Sequence, residues 1–365
     1  MRLERTILVE ATPRVAVIVI NYNGKRWLNR CFSSLAKTTY PNYSVYLVDN
    51  ASTDGSTGHV RVSFPWVKII QLQKNFGFAR GYNLAVKQVE AKYVALLNND
   101  TEILEPNWLG MMVRTAEKDN LVGALACKIV FTSNPAILNS VGGFGIPYWR
   151  GAADLGYGER DDGQFDSPPI NPFSFCGGAA LTRLDLFREE EGFDESFFAF
   201  FEDTDFSWRL RIRGYRTAYV PGAKVAHYYS GTWSNETEKM YLCKRNLFRS
   251  ILKNCSRDVL FRWALPYHLL FTIMASISYL TVEHAPLKSW SLLKSVLWNV
   301  WHLKSTYRKR KLIQTARKIG DEDILRAMYT PRLLRDARRV SFESRLANTI
   351  FGLPPKHWSY LKQPR

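Results

Sequence analysis

The segment Glu202-Asp203-Thr204-Asp205 places three carboxylates within four residues, and His227 follows Asp203 by 24 positions at the end of a short apolar run. A positioned carboxylate acts as a general base or holds a hard cation, and imidazole serves both purposes. The same residue types also have plainer uses: acids at a helix start cap it, and a lone histidine commonly fills a core. Three other polar clusters, Asn21-Tyr22-Asn23-Gly24, Asp49-Asn50-Ala51-Ser52 and Asn98-Asn99-Asp100, are of comparable interest. For Asn23 and Ser52, helix capping and function are equally good readings. Asp100 is a poor cap, because helix-forming residues resume only near Trp108. The chain has no Walker loop, and GFARGYN is not GxGxxG, so a glycine-rich phosphate cradle is unsupported. A divalent cation is the alternative neutraliser of a diphosphate. Asp100 offers one hard oxygen ligand, and His227 is the best further candidate.

These clusters fall where strands end. VAVIVIN (15–21) is a continuous apolar run, as expected of a strand buried on both faces. A helical pattern follows, with Trp27, Cys31 and Leu35 one turn apart. Further strands are expected at 43–50, 66–72 and 92–100, and helices over 78–90 and after Pro106. Strand–helix alternation with short links predicts an α/β fold, Rossmann-like, with a mostly parallel sheet and flanking helices. Ligands of such sheets bind beyond the carboxyl ends of the strands, where the clusters lie. Residues 141–172 lose this pattern and read as a long loop. A strand and a helix follow in FSFCGGAALTRLDLFREE. Along the expected helix after Glu202, Phe206 and Leu210 share one stripe, Trp208 and Ile212 another, and Asp205 is placed to pair with Arg209.

Charge divides the chain unevenly. Residues 1–240 hold 26 Lys and Arg against 26 Asp and Glu. Residues 241–365 hold 24 against 7, and so carry the whole net charge of +17. Such a tail suits an anionic membrane surface or a nucleic acid. It lacks zinc-ligand spacing and an aromatic RNA-binding motif, so no nucleic-acid partner is expected. Residues 263–282 contain no Asp, Glu, Lys or Arg, which is the minimum length for a span. After them Leu287, Trp290, Leu293, Leu297, Val300 and Trp301 recur at helical spacing among lysines, as in an interfacial helix. The expected division is an extension at 1–14, a catalytic domain at 15–240 and a helical, membrane-associating region at 241–365. The five scattered cysteines fit a reducing compartment, and the charged N-terminal segment does not read as a signal peptide.

The segments VAVIVINYNG, VYLVDNASTDGS, NFGFARGYNLAV, YVALLNNDTEI, FCGGAALTRLDLF and FFAFFEDTDFSWRLRIRGYRTAYVPGAKVAHYYSGT resemble, in order, the motifs of glycosyltransferase family 2. The rhamnosyltransferase-like and galactofuranosyltransferase-like branch is the most similar. The resemblance covers residues 15–232 and implies a GT-A fold and inverting transfer from a nucleotide-diphosphate sugar. Residue by residue, Asp49 resembles the aspartate that contacts the donor's base, and Asn98-Asn99-Asp100 the DxD motif, with Asp100 as metal-binding carboxylate. Asn98 departs from that pattern and leaves a neutral ligand or a sugar contact. Asp203 resembles the general base, and His227 the metal-ligating histidine of the galactofuranosyltransferase-like branch. Asn21, Asn99 and Arg80 are placed on the donor side, with Arg80 either reaching the diphosphate or facing solvent. Glu202 is placed on the acceptor side, or caps the helix. The implied cofactor is Mg²⁺ or Mn²⁺. The donor expected is dTDP-rhamnose or a UDP-hexose, and the acceptor a lipid-linked or polysaccharide glycan. The implied location is the cytoplasmic side of the cell membrane, peripheral or monotopic. QxxRW is absent, which favours single additions. A nucleotidyltransferase is one alternative, although NYNGKRW supplies little of the basic, glycine-rich loop such enzymes carry; a basic nucleic-acid-binding protein that uses the +17 tail is the other. Oligomeric state is not legible.

Overall fold

The structure, a computed structural model, describes residues 12–146, 151–167, 170–228 and 235–328. Most of the expected N-terminal extension, residues 229–232 of the last motif and the basic segment from 329 onward lie outside the described residues.

A nine-stranded sheet organises the chain. Strands β1 (Val15–Asn21), β2 (Tyr43–Asp49), β3 (Lys68–Gln71) and β4 (Tyr93–Asn98) are parallel neighbours in the order β3-β2-β1-β4. Helices α1 (Lys25–Leu35), α2 (Ser56–Ser63) and α3 (Gly77–Val86) connect them. After β5 (Thr101–Ile103) and α4 (Trp108–Lys118), the long strand β6 (Val122–Phe131) pairs antiparallel with β7 (Asn134–Ser140). The segment expected to be a loop contains a second small sheet, β8 (Gly143–Ile146) paired with β9 (Gly151–Asp154). Its Gly- and aromatic-rich composition hid that hairpin, because short strands with few β-branched residues carry little periodic signal. Strand β10 (Ala179–Arg183) inserts antiparallel between β4 and β6. Helices α5 (Leu184–Glu189) and α6 (Glu202–Ile212) precede β11 (Arg216–His227), which runs parallel to β6 and antiparallel to β5.

Strand alternation sorts the core into two faces. Val15, Val17 and Val19 of β1 pack with Leu28 and Phe32 of α1 and Trp108 of α4. Ala16, Ile18 and Ile20 pack with Tyr82 of α3 and with Phe206 and Leu210 of α6. The second stripe of α6, Trp208 and Ile212, joins Leu247 and Ile251 of α7 (Glu236–Asn254) in a separate cluster. So α6 lies between the sheet and the C-terminal helices. The expected boundary at 240 falls inside α7.

A buried charged network fixes that arrangement. Asp205 accepts from Arg209 Nε (3.1 Å), Ser250 Oγ (2.7 Å), Lys253 Nζ (2.8 Å) and Asn254 Nδ2 (3.0 Å). Burial would raise this carboxyl, but Lys253 and Arg209 hold it below the usual range.

From α7 the chain passes through α8 (Arg257–Val259) and a π turn (Leu260–Ala264) into α9 (Leu265–Thr281). Helices α10 (Pro286–Trp301), α11 (Leu303–Thr315) and α12 (Asp321–Met328) follow. None of the five cysteines forms a disulfide.

Candidate active site

The strand ends are laced together beneath the carboxyl edge of the sheet. Asn21, at the end of β1, donates from Nδ2 to Asp49 Oδ1 and to Ser52 Oγ, both at 3.0 Å. Its Oδ1 accepts from Asn99 Nδ2 at 2.6 Å. A Cβ on Gly24 would lie 1.9 Å from Asn99 Nδ2, so only glycine permits this approach. Asn23 and Ser52 do not cap α1. Ser52 Oγ accepts from the Asn23 amide (2.9 Å), and Asn23 Oδ1 accepts from the Thr53 amide (2.8 Å), which ties two loops together. Asp49, expected at the donor's base, is 0% exposed. Its second oxygen accepts from the Ser52 amide at 3.0 Å. Both oxygens are therefore engaged by protein donors.

Asp100 and His227 meet, as their expected shared role requires. Strands β5 and β11 pair Thr101 with His227, which sets the imidazole Nε2 3.2 Å from Asp100 Oδ1. His227 Nδ1 lies 3.0 Å from Asn139 Oδ1 and Nε2 lies 3.4 Å from Asn98 Nδ2. An Nδ1–H donated to Asn139 leaves the Nε2 lone pair facing Asp100, which is the tautomer a metal ligand needs. The donor set of carboxylate, imidazole and carboxamide suits Mg²⁺ or Mn²⁺. Among the described residues no group of three or more His, Cys, Asp and Glu side chains is arranged around a metal position. Other ligands would come from substrate oxygens or water.

The acidic triplet separates by face. Asp205 points into the α6–α7 network, while Asp203 Oδ2 accepts from the Gly177 amide at 2.8 Å. Asp203 Oδ1 accepts from the Thr204 amide at 2.6 Å and from its hydroxyl at 3.2 Å. Burial outweighs these bonds and raises the Asp203 carboxyl above its ordinary value. Glu202 is only 5% exposed, and its Oε2 has no hydrogen-bond partner. Burial and the adjacent Asp203 charge push Glu202 well above the carboxylate range. Of the two, Glu202 is pushed up further, because it lacks the amide and hydroxyl donors that Asp203 has. The Cys176-Gly177-Gly178 turn forms the floor between base and imidazole. A Cβ on Gly177 would sit 3.4 Å from Asp203 Oδ2, and one on Gly178 would sit 3.3 Å from His227 Cε1.

Backbone strain presents the pair. Phe198, Phe200 and Phe201 have φ of 65°, 69° and 73°. Such conformations cost about 1–3 kcal/mol each and persist only when held from outside. Asn246 of α7 holds them: its Nδ2 donates to Phe197 O (3.1 Å), Ala199 O (2.9 Å) and Phe200 O (2.7 Å). Asn246→Ala is expected to lower unfolding stability by about 2–3 kcal/mol, at roughly 1 kcal/mol per lost bond, read from the denaturant midpoint. An unchanged midpoint would mean that the turn holds itself.

Sequence reasoning passed over Asn246, Asn139 and Asp154. Asp154 on β9 accepts from Ser140 Oγ at 2.7 Å. Burial, with the Asp203 charge beside it, pushes its carboxyl up to about 6 against the Ser140 bond. Arg80, expected on the donor side, instead lies over the Phe76 ring at 4.5 Å with its Nε 3.4 Å from Glu195 Oε2.

A sheet of this order, with a carboxylate–imidazole pair and a buried acid at its carboxyl edge, is a GT-A fold. Residues 16–189 match the family model described as Glycosyl transferase family 2, and the chain carries a domain of that family. It is 28% identical over 235 residues to the O-antigen biosynthesis protein RfbC of Myxococcus xanthus, covering 61% of this chain but 18% of that protein. It is 26% identical over 242 residues to the N-acetylglucosaminyl-diphospho-decaprenol L-rhamnosyltransferase of Mycobacterium tuberculosis, covering 60% of this chain and 76% of that one. Its fold is similar to that of the Pyrobaculum calidifontis mannosyltransferase PcManGT, solved with GDP-Man and Mn²⁺. The TM-score is 0.51 at 17% identity, covering 80% of this chain and 88% of that chain.

Proposed function

We propose that the chain is an inverting, metal-dependent glycosyltransferase of cell-surface glycan synthesis. It would move a sugar from a nucleotide-diphosphate donor to a lipid-linked or polysaccharide acceptor. The observation that carries this reading is the Gly177–Gly178 floor, with the Asp203 carboxylate against one side and the Asp100–His227 pair on the other. An inverting displacement needs those two functions on opposite sides of one sugar ring.

In this reading Asp203 takes the proton of the acceptor hydroxyl as its oxygen attacks the anomeric carbon. The carbon–oxygen bond to the diphosphate breaks, and the nucleoside diphosphate leaves. Asp100 and His227, with Asn98, would hold the divalent cation, which when bound supplies positive charge against the departing diphosphate. Asn21 and Asn99 shape the donor side. Asp49, anchored by the Asn21 amide and the Ser52 turn, would lie on the side of the donor's base. Arg80 reaches the diphosphate only on leaving Glu195. Glu202, whose carboxyl burial pushes well up, has an unpartnered oxygen to offer an acceptor hydroxyl.

The likeness to a mycobacterial rhamnosyltransferase supports dTDP-rhamnose as first donor. The likeness to an Escherichia coli UDP-Glc-dependent diphosphoundecaprenol glucosyltransferase, 26% identical over 162 residues, supports a UDP-hexose next. Both names include a polyprenyl diphosphate, which supports a lipid-linked acceptor at the membrane; its cytoplasmic face is the side proposed. The catalytic unit would span 15–240, with 241–365 docking it there. The test is a panel of nucleotide sugars assayed for release of nucleoside diphosphate with Mg²⁺ or Mn²⁺. One donor is expected to stand out, and no turnover with any member would contradict the reading.

A further inference from the structure

The hairpin of α9 and α10 has its polarity inverted. Beyond Tyr267, Phe271 and Leu292, its inward side is polar: Ser276 and Ser289 bond hydroxyl to hydroxyl at 2.6 Å, and Asn299 Nδ2 donates to Arg245 O at 2.9 Å. Ser295 and Asn299 are both 0% exposed. Its outward side is apolar. Ile273, Ile277 and Leu280 of α9 and Leu293, Leu297 and Val300 of α10 are exposed, and Trp301 at the end of α10 is 87% exposed. A helix facing water has the opposite arrangement. Small hydroxyl residues between helices, with aliphatic residues outside, are the pattern of helices whose outer solvent is hydrocarbon. The next helix, α11, exposes Lys304, Arg308 and Lys311 and has no acid in its first turn.

We infer that the outer face of this hairpin is embedded in an anionic lipid bilayer and lies in the membrane plane without crossing it. The charge names the occupant: cations border the apolar face, and residues 241–365 carry the whole excess of +17. Lys and Arg near an anionic leaflet contribute about 1 kcal/mol each, and Trp residues such as Trp290 and Trp301 favour the interface.

Two observations keep the hairpin in the plane. The stretch Arg257–Thr281 is long and apolar enough to cross by length and composition. Yet α10 runs along α7, with Lys294 over the Tyr241 ring at 4.7 Å and Arg245 over Trp298 at 4.6 Å. Helix α7 carries Glu236, Glu238, Lys239 and Lys244, and Lys253 fixes it to Asp205 of the catalytic body. A crossing hairpin would draw those charges into hydrocarbon, at several kcal/mol each. The geometry also has a use. Asn246 on this same α7 holds the turn that presents Asp203, so the membrane face and the base are linked through one helix.

This deepens the membrane-acceptor reading above, but its test needs no transfer reaction, so loss of activity alone leaves it standing. The full chain is spin-labelled in turn at Ile277→Cys and Leu297→Cys and mixed with vesicles of phosphatidylcholine containing about 30 mol% phosphatidylglycerol. Both labels are expected to become oxygen-accessible and shielded from aqueous relaxant at one shallow depth. Leu297→Glu combined with Val300→Glu is expected to weaken vesicle binding about tenfold or more with an unchanged unfolding midpoint. Lys304→Glu with Arg308→Glu should weaken it on anionic vesicles only. Labels at widely different depths would show a crossing hairpin. Labels already shielded without vesicles would show a second copy, if concentration-dependent, or residues 329–365, if not. Any of these overturns the inference.

Discussion

Asp203→Asn is expected to lower kcat for sugar transfer by about 10²–10⁴-fold, the usual contribution of a positioned general base. Donor binding, read by titration calorimetry with the nucleotide sugar and metal, should change little. The amide keeps the volume of the carboxylate and one acceptor oxygen for the Gly177 amide, but cannot take a proton. The pH profile carries the same information. Burial raises the Asp203 carboxyl, so the acid limb of kcat in the wild type should lie above the ordinary carboxylate range. Activity is then lost as pH falls through that raised value, because a protonated base cannot accept. In Asp203→Asn the limb should vanish from the residual rate. Loss of donor binding together with transfer would instead make Asp203 a structural residue.

The second large effect belongs to the Asp100–His227 pair. Asp100→Ala is expected to cost about 10²–10³-fold in turnover, the scale of losing one preorganised electrostatic contact to developing charge, and to remove metal-dependent donor binding. His227→Ala should raise the metal concentration for half-maximal activity by about 10–100-fold, and Asn139→Ala should do so less strongly because it only orients the ring. Asn98→Asp should act in the opposite direction, since a second carboxylate beside Nε2 strengthens a hard-cation site. Full activity in EDTA would end the metal assignment.

The parts of the site that the sequence disclosed are local. A strand buried on both faces ends in a polar cluster, and α6 displays its two stripes at helical spacing, so Asp203 and Asp205 separate by geometry alone. The meeting of Asp100 with His227 depends on β5 lying beside β11, which no local pattern reports; residue chemistry made His227 a candidate, and the family resemblance strengthened it. Asn246, Asn139 and Asp154 stayed hidden for the same reason. Each acts across a large sequence separation, and Asn is an ordinary residue in a helix or strand until its carbonyl partners are known. No sequence pattern marks the left-handed backbone of Phe198, Phe200 and Phe201, which precedes Glu202 and Asp203 and turns them toward Gly177. For Arg80 and Asp49 nothing in their motifs pointed to their partners here, Glu195 for one and Asn21 and Ser52 for the other.

The most direct test is the nucleotide-sugar panel with a polyprenyl-diphosphate-linked acceptor, read by proton and phosphorus NMR on the products, which report the new anomeric centre and the leaving group. The account predicts one nucleoside diphosphate released per sugar transferred, with inverted anomeric configuration. Release of inorganic pyrophosphate, or retention at the anomeric carbon, would contradict it.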